Sequence, residues 1–365
     1  MDDAADDRIP LPIADWTARV RWTDPPRPPS EALADVEVPD RVVEDFRPLA
    51  ESLEWRLAGL YWRRAGALPF AENEVPFLVN NSGRLSEAAA RLLLANCLEA
   101  RPAGAIEVLE LGAGSGLYAL LFMNAFRALC QEAGHDFYDR LRYLVTDVSP
   151  ATVAQWQERR LFADHAQHVT CQVADANAPL PVAGPLRAVF CNYLLDVLPA
   201  AIVRASPDRP GVVEQLCVRT HLAREPGPGR PRPALSLEEV RVLVAAGDDA
   251  ALVRLLPVMG FFEYEVAYRS DGVEALAGAA QAVAAQPAAA RVRLSVGALG
   301  CLRRCAERLA ADGFILVNDY GPATEEEIPA YAVLQKFGKT VAAGLSFPWL
   351  ESELQRLGLH AHKAA

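Results

Sequence analysis

The sequence predicts an α/β protein built on a doubly wound, mostly parallel sheet, with helices at its N-terminus and an inserted cap between strands four and five. Three observations carry this expectation. Short apolar runs alternate with helix-length apolar segments from Ile106 to Cys191, as in the strand-helix units of a parallel sheet. A glycine-rich turn, Gly112-Ala113-Gly114-Ser115-Gly116, stands directly between a strand-length run and a helix-length one. Roughly a hundred residues then intervene before the next strand of the same kind, Phe314 to Asn318, an insertion of the sort that commonly covers a functional site.

The chain of 365 residues is 52% hydrophobic and 23% charged, within the range of folded globular proteins. A net charge of −11 argues against a nucleic-acid partner, which needs clustered Lys and Arg. The opening Met1-Asp2-Asp3-Ala4-Ala5-Asp6-Asp7 has no basic flank before an apolar stretch, so no secretory signal is expected, and no run is apolar enough to cross a bilayer. Seven cysteines without a Cys-x-x-Cys pair suit free thiols in a reducing compartment. The expectation is a cytoplasmic protein without membrane or nucleic-acid partners, and its oligomeric state is left open.

Residues 1–40, with Asp24-Pro25-Pro26-Arg27-Pro28-Pro29, read as a flexible arm. Residues 41–100 form an expected helical region: one helix from Val42 to Arg64 on the spacing of Phe46, Leu49, Leu53, Leu57 and Leu60, and another from Glu87 to Glu99 capped by Ser86. Residues 101–200 hold strands at Ile106–Leu111, Leu141–Thr146, His168–Ala174 and Leu186–Cys191. Helices follow at Leu117–Leu129 and, behind Ser149-Pro150, at Ala151–Phe162. The insertion, 201–297, begins with an exposed loop at 205–235, marked by Pro207, Pro210, Pro226, Pro228, Pro231 and Pro233. Its Arg204–Pro233 stretch is expected to be mobile. A capping box at Ser236–Glu239, a strand at Phe261–Arg269 and a helix at Ala275–Gln286 follow. Residues 298–365 return to the α/β core.

A Gly-x-Gly-x-Gly turn between strand and helix lets backbone amides approach a ligand closely. Dinucleotide binding requires Gly or Ala three positions after the second glycine, but Leu117 stands there. Glu110, Asp147 and Asp175 end the first three strands, where carboxylates could meet a ribose, an exocyclic amine and a positive sulfonium. Asp147 would take the ribose hydroxyls and Asp175 the adenine amino group. The cofactor-binding set is therefore Glu110, Gly112, Ala113, Gly114, Gly116, Asp147, Val148, Asp175, Ala176 and Asn192.

Glu110 to Gly116, Asp147, Asp175 and the strand end Asn192-Tyr193-Leu194-Leu195-Asp196-Val197-Leu198-Pro199 resemble the Rossmann-like class I S-adenosylmethionine-dependent methyltransferases, and within them the MidA-like family. That family includes a mitochondrial protein-arginine methyltransferase needed for complex I assembly. Asn192, Asp196 and Pro199 match its strand-four motif, whereas Tyr193 replaces a glutamate; Asp319-Tyr320-Gly321, Phe337-Gly338-Lys339-Thr340 and Ser346-Phe347 resemble later segments. The likeness covers about residues 75 to 355. It implies S-adenosylmethionine as cofactor and a protein side chain, such as that of arginine, as methyl acceptor.

Methyl transfer from a sulfonium needs an aligned nucleophile and no metal. Asp196 is the expected proton acceptor, Asn192 could hold the nucleophile or the methionyl end, and Tyr193 could line an aromatic pocket. Asp196 as a mere helix cap is the plainer alternative. Asp319-Tyr320-Gly321 either lines the acceptor side or simply ends a strand, while His165, His168, Cys301 and Cys305 are expected to be structural. A binding scaffold without catalysis and a small-molecule methyltransferase are the rival functions.

Overall fold

The computed structural model describes residues 11–12, 41–66, 82–222, 234–285, 291–324, 327, 335–337 and 340–363. In chain order its elements begin with β1 (Leu11–Pro12), β2 (Val42–Pro48), α1 (Leu53–Ala65), α2 (Arg84–Ala100), β3 (Ile106–Leu111), α3 (Leu117–Ala133), β4 (Leu141–Asp147), α4 (Pro150–Glu158), β5 (Val169–Val173) and β6 (Leu186–Asn192). They continue with β7 (Ala201–Ala205), β8 (Val213–Leu222), α5 (Leu237–Ala246), α6 (Asp249–Val253), β9 (Phe262–Arg269), α7 (Ala279–Ala284) and β10 (Val292–Leu294). The last are α8 (Val296–Ala306), β11 (Leu309–Asn318), β12 (Gln335–Phe337), β13 (Thr340–Ala342) and α9 (Phe347–Arg356). No helix among the described residues is long and apolar enough to cross a membrane.

The chain divides into two compact units. One comprises 62–198 and 297–320 and holds a parallel sheet in the order β11-β6-β3-β4-β5. Its inner strands β3 and β6 are buried almost throughout because both faces are covered. Phe190 on β6 packs against Phe122 of α3, while the next residue, Cys191, meets Cys301 of α8. Successive side chains point to opposite faces, so helices lie on both sides. On the Phe190 side, Phe122, Phe126, Tyr143 and Leu93 are all fully buried. Gly134 closes α3 in the left-handed conformation, and Ser149 caps α4 by accepting from the Thr152 amide.

The other unit gathers residues up to 61, 199–296 and 321 onward. Its antiparallel sheet runs β10-β7-β8-β2, with β9 also paired to β8. Leu53, Leu57 and Leu60 of α1 form a core with Leu216, Val218, Leu252 and Leu255. The expected capping box at Ser236 and Glu239 is present. Backbone pairing of β1 with β12, and of β12 with β13, makes a small third sheet. The remainder of the expected arm, and Gly338-Lys339, lie outside the described residues.

Several expectations need correction. Val42–Pro48 is a strand paired with β8 rather than the start of a helix. The apolar spacing there is misleading, because Pro48 prevents a continuous helix and the β-branched Val42-Val43 pair favours a strand. The helix expected from Glu87 starts after Gly83, so Ser86 lies inside it, buried, and donates to the Tyr118 carbonyl at 3.1 Å. The expected exposed loop at 205–235 contains β8, whose Val218 and Thr220 are buried. Its prolines mark only the flanks, and the mobility expected from Arg204 does not extend through this paired strand. Among the described residues of Ala275–Gln286 the α-helix spans Ala279–Ala284, starting after Gly278 in the left-handed conformation. The α/β core takes back only 297–320 after the insertion, and residues from 321 onward join the antiparallel unit.

Candidate functional site

Chain order reverses between β3 and β6, the point where open parallel sheets bind ligands beyond their carboxyl ends. The glycine loop leaves β3 there. Gly112, Gly114 and Gly116 have φ of 65°, 53° and 75°, a region that L side chains avoid. A Cβ on Gly112 would lie 2.8 Å from Leu194 Cδ1, and one on Gly116 would lie 2.7 Å from Leu161 Cδ2. Both positions therefore favour glycine. The loop is also pinned from outside: the Ala113 amide donates to the Thr146 carbonyl at 2.9 Å, and the Trp156 indole donates to the Gly114 carbonyl at 3.0 Å.

Asp147 ends β4 against this loop. One carboxylate oxygen accepts from the Gly114 amide at 2.9 Å and the other from the Ser149 amide at 2.9 Å. Burial raises its pKa against the lowering effect of these amides and that of Val148. Ser149, not Asp147, caps α4 through its side chain. Glu110 is fully buried below the loop and accepts from the Tyr143 hydroxyl at 2.8 Å. Desolvation pushes it up to about 8, so it is protonated at neutral pH. Asp175 lies past β5, exposed, accepting from the Asn177 amide, and the neighbouring Ala176 is buried with its carbonyl bound by Arg304.

The ends of β6 and β11 carry matching residues. Asn318 pairs in register with Asn192 and donates from Nδ2 to Asn192 Oδ1 at 2.6 Å. Tyr193, at φ 51°, donates its amide to the Asn318 carbonyl, and its ring lies 5.0 Å from that of Tyr320. Asp319 accepts from the amides of Leu195 at 2.8 Å and Asp196 at 3.3 Å with one oxygen, and from Tyr320 at 2.8 Å with the other. Asp196 is buried and hydrogen-bonds the Asp319 carboxyl; burial and this second carboxyl raise it well above the usual range. Asp319 is itself raised by burial to about 6. Two buried polar atoms here, Asn192 Nδ2 and Asp196 Oδ1, have no hydrogen-bond partner.

The structure thus brings Asn192, Tyr193 and Asp196 together at one strand end, and the glycine loop with Asp147 at its neighbour. The Asp175 carboxylate accepts from the Asn177 amide on its own loop. Asn318 was absent from the expected site, while Asp319-Tyr320-Gly321 was expected either to line the acceptor side or to end a strand; the pairing of β11 with β6 that brings Asp319 to Asp196 cannot be read from sequence. Gly321 is required because a Cβ would strike the Leu345 carbonyl. His165 is engaged by Tyr138 and Asn124, and Cys301 and Cys305 are buried. Among the described residues no group of His, Cys, Asp or Glu is arranged to hold a metal.

A family model described as "Putative S-adenosyl-L-methionine-dependent methyltransferase" matches residues 88–346. Among solved structures, the fold is similar to an uncharacterized protein from Burkholderia thailandensis at TM-score 0.54 and 17% identity, covering 96% of this chain and 78% of that one. It is also similar to a protein of the same superfamily and organism bound to S-adenosyl-homocysteine, at TM-score 0.53 and 18% identity, covering 96% and 80%. No curated protein matches the chain. The family match spans more than half the sequence: the chain belongs to this S-adenosylmethionine-dependent family.

Proposed function

From that membership we propose that the chain transfers a methyl group from S-adenosylmethionine to a protein side chain, with a nitrogen such as that of arginine as acceptor. The observation that carries transfer, rather than binding alone, is the buried Asp196 with an unpartnered oxygen one strand over from the glycine loop. The loop and Asp147 would hold the nucleoside. Glu110, Asp175 and Ala176 complete the proposed cofactor set, with Val148 beside Asp147. Asn192 would meet the methionyl end or the nucleophile.

Displacement at a sulfonium needs the nucleophile in line and its proton removed. A guanidinium is protonated in water and needs a carboxylate partner, a role that suits Asp196. The protein acceptor itself rests on the resemblance to the MidA-like family. Tyr193, standing where that family has a glutamate, favours a second reading in which the chain binds S-adenosylmethionine as a scaffold and transfers nothing.

The test is incorporation of tritium from methyl-labelled S-adenosylmethionine, with lysate separated into macromolecular and low-mass fractions. Label in acid-stable protein is the expected result. Label only in the low-mass fraction would establish a small-molecule enzyme instead, and none in either, with the cofactor bound, would favour the scaffold.

A further inference from the structure

We propose that Asp319 is a positioning residue that shares one proton with Asp196, the two carboxyls acting as a single proton relay at the acceptor side of the site. The inference rests on the methyl-transfer reading above and adds a residue and a proton path to it.

The three amides that hold Asp319 all donate to it, which favours its ionised form. Asp196 is 6% exposed and its Oδ1 has no partner; burial first and the hydrogen-bonded Asp319 carboxyl second raise it well above the usual range, against the lowering effect of the Asp196 and Val197 amides. Two adjacent buried carboxyls do not both ionise, so a proton on Asp196 donated to Asp319 satisfies both. The other titratable groups acting on the pair are Cys191 on β6 and the hydroxyls of Tyr193 and Tyr320, all neutral at pH 7 and all raised by their surroundings. The pair therefore carries one negative charge.

A protonated nitrogen acceptor gives its proton to Asp196 Oδ1 as the proton already on Asp196 passes to Asp319. The freed nitrogen lone pair forms the bond to the methyl carbon, and the carbon–sulfur bond breaks with its electrons staying on sulfur. The neutral pair later releases one proton to solvent.

Asp319→Asn keeps an oxygen for the Leu195 and Asp196 amides, loses the acceptor of the Tyr320 amide, and leaves Asp196 a lone carboxyl that burial still raises but no second carboxyl does. The expected result is that the acidic limb of the kcat/KM profile, near pH 6 in the wild type, is displaced, because it then reports Asp196 alone. Turnover that falls equally at every pH, with the limb unmoved, would overturn the pairing and leave Asp319 a structural residue. A second measurement needs no turnover: infrared spectra of protein labelled with carbon-13 at the aspartate carboxyl. One protonated aspartate band should be present at pH 7, absent from Asp196→Asn, and shifted in frequency or lost in Asp319→Asn. A wild type without that band refutes the pair whatever its activity, whereas a band without methyl transfer to any acceptor refutes only the reading beneath it.

Discussion

Replacing Asp196 with asparagine is expected to lower methyl transfer by about 10²-fold or more while S-adenosylmethionine affinity stays within a few-fold. Asparagine has nearly the shape of the protonated aspartate and can still donate to Asp319, so the buried bond that organises the strand end persists. It cannot accept and pass on a proton. The proposed cofactor contacts lie mainly on the glycine loop and Asp147, at neighbouring strands, which is why binding should be spared. Steady-state turnover and calorimetric titration of the same preparation separate the two effects. Full turnover in the variant would leave Asp196 as a local structural group.

Glu110→Gln should stabilise the protein at neutral pH and remove part of its pH dependence. Glu110 is held protonated by burial, with its folded pKa near 8 against an ordinary 4.5. A carboxyl raised on folding binds more protons in the native than in the unfolded state between these values, so its contribution to stability is lost as pH rises through that window. At pH 7 the difference is at most ~3 kcal/mol. Glutamine stays neutral and still accepts from the Tyr143 hydroxyl, so denaturant unfolding of the variant should show a flatter dependence between about pH 5 and 8. An unchanged slope would mean that Glu110 is ionised in the native protein. Retention of an acid at this cost, under the loop proposed to face a sulfonium, is consistent with a functional site that lowers stability.

The parallel sheet was legible because its strands are apolar runs ended by punctuation: Ile106–Leu111 by Gly112, Leu141–Asp147 by Ser149-Pro150, and Leu186–Asn192 by a polar strand end. The glycines at 112 and 116 were legible for a related reason, since a positive φ favours the residue type without a Cβ. The antiparallel unit was not. Its central strand β8 sits between proline clusters that suggest a loop, and β2 carries helix-like apolar spacing, so the pairing across the sheet decided both. At the site, Asp196 stood out from its motif, but Asp319 is 123 residues away in sequence and comes to it only through the register of β11 on β6.

The assignment of the cofactor site turns on Asp147, whose two oxygens already bind the Gly114 and Ser149 amides while keeping lone pairs for a ribose. Calorimetric titration of S-adenosylhomocysteine into wild type and Asp147→Ala measures this directly. Loss of charge-assisted hydrogen bonds worth about 1.5–3 kcal/mol predicts an affinity roughly 10- to 150-fold weaker in the variant. Equal affinities for two proteins with intact thermal unfolding transitions would contradict it, and the ribose would then have to lie elsewhere.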